Sequence, residues 1–126
     1  MWQFNDTQPI YIQIINYLKE KIFSGEIKPG EIMPSIRSLS MELEVNPNTI
    51  QHAYDEMERE GLVKVQRGIG FELTKENAKI KTMKKEKMHH LIQLLIVQLC
   101  KMGLSNEEIN EFVLQEMNTI LEKPSC

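Results

Sequence analysis

The stretch running from position 34 to position 70, P-S-I-R-S-L-S-M-E-L-E-V-N-P-N-T-I-Q-H-A-Y-D-E-M-E-R-E-G-L-V-K-V-Q-R-G-I-G, decides the fold. Ser35 is a good N-cap, because its hydroxyl can accept from an unpaired N–H of a first helical turn, and Ile36, Leu39 and Leu43 follow at helical spacing. Asn46 followed by Pro47 is a second start signal, since proline at the first helical position loses only an N–H that has no partner there. Ile50, Ala53, Tyr54 and Met57 then mark one face of a helix, and Gly61 stops it. Leu62, Val63 and Val65 read as a strand, Arg67-Gly68-Ile69-Gly70 as a turn, and Phe71-Glu72-Leu73 as the returning strand.

Upstream, Pro9 suits the first turn of another helix, in which Ile10, Ile14, Leu18 and Ile22 repeat every four residues and Tyr11 and Ile15 widen the stripe. Gly25 ends that helix, Ile27-Lys28-Pro29-Gly30 turns, and Glu31-Ile32-Met33 suits a short strand. Residues 1–8 read as an arm. Downstream of Thr74 the composition changes to a lysine-rich helix, with Ile80, Met83, Met88, Leu91, Ile92, Leu95, Leu99 and Met102 in helical period. Gly103 closes it, and Ser105 with Glu108 forms a capping box opening a last helix, whose apolar face is Ile109, Phe112, Val113, Met117, Ile120 and Leu121. Pro124 lies just past its end.

These elements predict a mainly α chain with a small β-wing. Residues 1–74 form a winged helix-turn-helix domain, followed over 75–126 by a two-helix antiparallel hairpin. The hairpin has too little chain to enclose a core of its own. It is expected to form half of a homodimer interface, through Met88, Leu91, Ile92, Leu95, Leu99, Phe112, Val113, Met117 and Ile120, rather than to fold back on the first domain.

Composition narrows the function. The chain has 126 residues and a hydrophobic fraction of 41%, enough for one small domain and an appendage. No segment approaches the ~20 apolar residues of a membrane span, and Met1-Trp2-Gln3-Phe4 shows no secretory signal, so a cytoplasmic protein is expected. Cys100 suits a small core position and Cys126 a loose terminus, and no disulfide framework is expected. A net charge of -3 weighs against a nucleic-acid binder. Its distribution softens that objection: Asp55, Glu56, Glu58 and Glu60 crowd the C-terminal half of the third helix, and six lysines stand between positions 75 and 87 against Glu76 and Glu86.

In a helix-turn-helix the second helix of the pair enters the major groove of DNA by its N-terminal end. Here that end is Asn46-Pro47-Asn48-Thr49, followed by Gln51 and His52. Asparagine and glutamine can pair bidentately with adenine, and threonine can reach a phosphate or a thymine methyl. Asn46 also serves as a cap, and the other four would equally suit an ordinary polar face. Arg37, two residues past the Ser35 cap, can reach a guanine edge or a phosphate, and Ser35 itself can touch phosphate. Arg67, Gly68 and Gly70 shape the hairpin tip, where glycine permits close approach to a groove, although a plain turn would use the same glycines.

At these residues the chain resembles the GntR family of transcription factors. The family's P-I-Y-x-Q-I is matched by Pro9, Ile10, Tyr11, Gln13 and Ile14, its P-G and P-S-x-R by Pro29, Gly30, Pro34, Ser35 and Arg37. Val45, Thr49, Ile50, Ala53, Tyr54, Glu60, Gly61, Leu62, Gly68 and Gly70 complete the pattern over residues 9–73. The V-N-P-N-T-I and R-G-I-G-F segments and the helical tail are similar to the YtrA subfamily, which has a short two-helix dimerisation part instead of a large effector domain. The resemblance implies a homodimer on a short inverted repeat of double-stranded DNA, with Arg37 and the third helix at the major groove and the wing at the minor groove. It further implies repression of an operon such as one encoding an ATP-binding-cassette transporter, and leaves room for an unknown small-molecule effector. Asn46-Pro47 replaces the Ser-Arg of many members, and His52 a basic residue, so the reading helix has less positive charge and base preference does not carry over.

Other chemistry finds little support. His89 and His90 adjoin on a helix with no metal partners spaced for them, and no cofactor is expected. No phosphate-binding loop or nucleophile motif is evident, and the eight methionines fall mostly on apolar helix faces. The principal rival is a winged-helix protein-interaction module that does not read DNA, favoured by the acidic balance. An enzyme is disfavoured for want of a cofactor site.

Overall fold

The computed structural model describes residues 3–121, and Pro124 and Cys126 lie outside them. Five helices and two strands follow in order: α1 Ile10–Phe23, α2 Ile36–Leu43, α3 Pro47–Arg59, β1 Val63–Gln66, β2 Gly70–Leu73, α4 Asn77–Lys101 and α5 Asn106–Leu121. The chain divides into two compact units, with the division between Lys84 and Lys85.

The first unit is built around α3. Its Ile50, Ala53, Tyr54 and Met57 are fully buried, together with Ile14 and Leu18 of α1, Leu39 of α2, and Leu62 and Leu73 at the base of the wing. The start signals act as the sequence implies. Ser35 Oγ accepts from the Ser38 N–H at 3.0 Å, and Asn46 Oδ1 accepts from the Asn48 N–H at 2.8 Å, with Pro47 opening the helix. Pro9 differs from expectation: it is the N-cap of α1, with an extended ψ of 146°, and not the first helical residue. It contributes its carbonyl, which accepts from the Ile12 and Gln13 N–H groups.

The strands pair antiparallel with Val63 opposite Leu73 and Gln66 opposite Gly70. Ile32 bridges to Glu72 on the other edge, where Met33 N–H donates to Phe71 O at 2.8 Å and Leu73 N–H to Glu31 O at 2.9 Å. The expected short strand at Glu31-Ile32-Met33 is thus a third, minimal edge. Val65 lies on the same strand face as Val63 but is 52% exposed, because the ribbon has left the core by that point.

Residues 3–8, expected as an arm, are tied down to α1. Gln13 is 2% exposed. Its Oε1 accepts from Asn5 N–H at 3.0 Å, while Nε2 donates to the carbonyls of Asn5 and Gln8, both at 2.8 Å. Phe4 packs against the core beside it. An amide supplies both donor and acceptor, so one buried side chain satisfies its own polar atoms on three backbone groups of the segment. Gln13→Ala should lower stability by about 1–3 kcal/mol, the cost of leaving such groups unsatisfied. The measurement is the urea midpoint at constant slope, and an unchanged midpoint would show that the segment contributes nothing.

The first compact unit runs on past the composition change at Thr74. The opening turns of α4 belong to its core: Ile80 is buried, Met83 packs beside it, and Lys84 Nζ donates to Phe23 O at 2.9 Å, satisfying a carbonyl at the end of α1. The lysine-rich composition marks where the helix begins, not where packing ends.

In the second unit, Gly103 turns the chain with a φ of 83° after α4. The capping box forms: Ser105 N–H donates to Glu108 Oε1 at 3.0 Å and Glu108 N–H to Ser105 Oγ at 3.2 Å. Among the described residues of this unit Ile109 alone is buried. Cys100, expected in a core, is exposed, because the apolar surface of its helix has no cover in a single chain.

Candidate nucleic-acid interface

Two contacts of Tyr54 set the geometry of the head. Its hydroxyl donates to Pro34 O, the carbonyl just before the Ser35 cap, and its ring stacks on Phe71 of β2 with centroids 4.6 Å apart. One side chain of α3 is thereby tied to both the start of α2 and the wing. Burial pushes the phenol above its ordinary pKa, so it remains a neutral donor. Elsewhere on α3, Glu58 Oε2 accepts from Val65 N–H at 3.2 Å and fixes the root of the wing.

The expected reading residues fall into two sets. Arg37 and Asn48 are exposed near the starts of α2 and α3, Arg67 is exposed at the wing tip, and their side chains have no hydrogen bond or ion pair among the described residues. The side chains of Ser35 and Asn46 cap their helices, and Thr49 is half-buried. At the tip, Gly68 has a φ of 77° and Gly70 one of 134°, values that a side chain would strain. Nothing lies within 4 Å of a Cβ built on Gly68, so backbone conformation alone demands glycine there.

Gln51 and His52 are already engaged. Gln51 Nε2 donates to Asp55 Oδ1 at 2.9 Å. The His52 ring stacks on Tyr11 of α1 with centroids 3.9 Å apart and planes 19° from parallel, and its Nε2 lies 3.8 Å from Glu56 Oε1. His52 therefore joins α3 to α1 as much as it faces outward. The partners Asp55 and Glu56 were legible as helix neighbours four residues on, whereas Tyr11 carries no local signal. Lys64, exposed on β1 with no partner among the described residues, is a further cation of the wing that motif reading passed over.

Among the described residues no group of three or more histidine, cysteine, aspartate or glutamate side chains could hold a metal, and no helix is long and apolar enough to cross a membrane.

A paired helix-turn-helix with a polar, solvent-facing helix start, an arginine beside it and a glycine-turned ribbon defines a winged-helix regulator of the DNA-binding class. The profile of the bacterial regulatory proteins of the gntR family matches residues 10–73, and the chain belongs to that family. It is a transcriptional regulator, not an enzyme. It is 34% identical over 109 residues to YhcF, an HTH-type transcriptional regulator of Bacillus subtilis, covering 86% of this chain and 90% of that one. It is 39% identical over 108 residues to the HTH-type transcriptional repressor YtrA of the same organism, covering 83% and 82%. A GntR family transcriptional regulator from Listeria monocytogenes superposes with a TM-score of 0.84 at 35% identity, over 89% of this chain and 98% of that one. Both likenesses to the Bacillus proteins extend beyond the family profile into the helical tail.

Proposed function

We propose that two copies of this chain bind a short inverted repeat in double-stranded DNA and repress the operon that contains it. In this reading residues 1–74 hold the DNA-reading parts, and residues 75–126 supply the dimerisation region beyond the shared core. Arg37 and the start of α3, through Asn48, Thr49 and Gln51, lie at the major groove; Arg67, Gly68 and Gly70 lie at the minor groove. Ser35 and Asn46 shape the helix starts, and His52 braces α3 against α1. The observation that carries the proposal is the set of unpartnered polar side chains Arg37, Asn48 and Arg67, each at a separate prominence of the head. Repression follows the named role of YtrA. An operon such as one encoding an ATP-binding-cassette transporter is the target that the family resemblance implies, and the cytoplasm is the proposed location.

The half-exposed Met88, Leu91, Ile92 and Leu95 on α4 and Phe112, Met117 and Ile120 on α5 support the dimer. Leu99 and Val113 lie partly buried among them. Apolar surface of this extent is stable in water when a second copy covers it.

Salt dependence provides the test. If Arg37, Lys64 and Arg67 of each protomer neutralise phosphates, log Kobs for a duplex from the chain's own promoter should fall with log salt at a slope of about -5. A slope near zero, with no shifted complex at low salt, would move the head to the rival class of protein-interaction modules.

A further inference from the structure

The geometry points to Asp55 as a positioning residue that sets base specificity through Gln51, an inference resting on the proposed placement of α3 in the major groove. Gln51 and Asp55 occupy consecutive turns of α3, both exposed, with Gln51 Nε2 donating to Asp55 Oδ1 at 2.9 Å. An unrestrained glutamine amide can exchange the places of its oxygen and nitrogen by rotating about its last torsion. Beside a carboxylate it cannot, because the exchange would set two acceptor oxygens against each other. Asp55 therefore fixes which end of the amide is donor and which is acceptor. One N–H is used in the contact, leaving one N–H and Oε1 for a base edge.

That remaining pair matches adenine, whose major-groove edge offers an acceptor at N7 and a donor at N6. It conflicts with guanine, which offers acceptors at both N7 and O6. The carboxylate also faces the DNA with negative charge, which lowers affinity for every duplex alike. Asp55 thus has two separable effects: orientation of Gln51, seen at one base pair, and repulsion, seen at all of them.

The experiment uses the full chain and a pool of duplexes with randomised centres. Wild-type protein enriches a repeat, and Gln51→Ala identifies the base pair whose preference depends on that side chain. At this pair wild type should favour adenine over guanine by about tenfold or more. Asp55→Asn removes the charge and leaves an amide that can present either an acceptor or a donor to Gln51, so it no longer fixes the Gln51 amide. It should tighten binding to all duplexes and reduce the preference to about threefold or less. Asp55→Ala removes charge and partner together and should do the same. Both positions are exposed, and unchanged circular dichroism establishes that the variants fold. Retention of the full adenine preference in Asp55→Ala would overturn the inference, as would a repeat in which no base pair responds to Gln51→Ala. Failure of wild type to enrich any duplex would overturn the proposed function and this inference together.

Discussion

Leu95→Asp is expected to convert the full chain from the proposed dimer to a monomer. Leu95 is 46% exposed on α4, amid Leu91, Ile92 and Leu94, which are exposed to similar degrees. In a two-fold dimer a substitution at the seam occurs twice. An unpaired carboxylate taken out of water costs about 3–5 kcal/mol, so the pair costs at least ~6 kcal/mol and raises the dimer dissociation constant by about four decades. The head has its own core around Tyr54 and Met57, so the monomer should retain much of the native circular dichroism. Light scattering at micromolar concentration checks the change. A dimer surviving Leu95→Asp would remove these helices from the interface. Because two linked half-sites bind far more tightly than one, the same variant should lose operator affinity by about 10²-fold or more without any change in the reading residues.

Arg37→Ala should weaken operator binding by about 1–3 kcal/mol per half-site. Ser35 caps α2, and Arg37 follows inside the first turn, exposed and unpaired among the described residues. Removing it therefore leaves no buried partner unsatisfied, and folding stability should stay within about 0.5 kcal/mol of wild type. Arg59 is a useful control: it is also exposed but lies against Glu56 at the far end of α3, and its replacement should leave binding nearly unchanged. A mobility-shift titration separates the two. Equal affinity of wild type and Arg37→Ala would take this arginine off the reading surface.

Much of the head was legible because its signals are local. A cap and the helix it opens are a few residues apart, and Ser35, Asn46 with Pro47, and Ser105 with Glu108 all act as their sequence context implies. The apolar faces of α1 and α3 were equally legible, since a helical period is a property of neighbouring residues. The readings that changed depend on contacts made outside a single helix or turn. Gln13 stands in the sequence only as a residue of the family pattern, yet it binds the backbone of Asn5 and Gln8. His52 looked free to read a base, yet Tyr11, on another helix, lies against its ring. Cys100 looked like a core residue because its helix is apolar, but an apolar helix is buried only when something covers it.

By itself the sequence determined the order of the elements, the caps at Ser35, Asn46 and Ser105, the inward faces of the head, and membership of the GntR pattern. Each of these is written in contacts within one helix or one turn, or in residue types at fixed spacing. Only the tertiary structure decided which polar side chains remain available to a ligand. Arg37, Asn48 and Arg67 are open, whereas the His52 ring is held by Tyr11 of another helix; the contacts of Gln51 with Asp55 and of His52 with Glu56 are local pairs four residues apart. Availability is a property of what lies nearby in space, and spacing along the chain alone does not specify it.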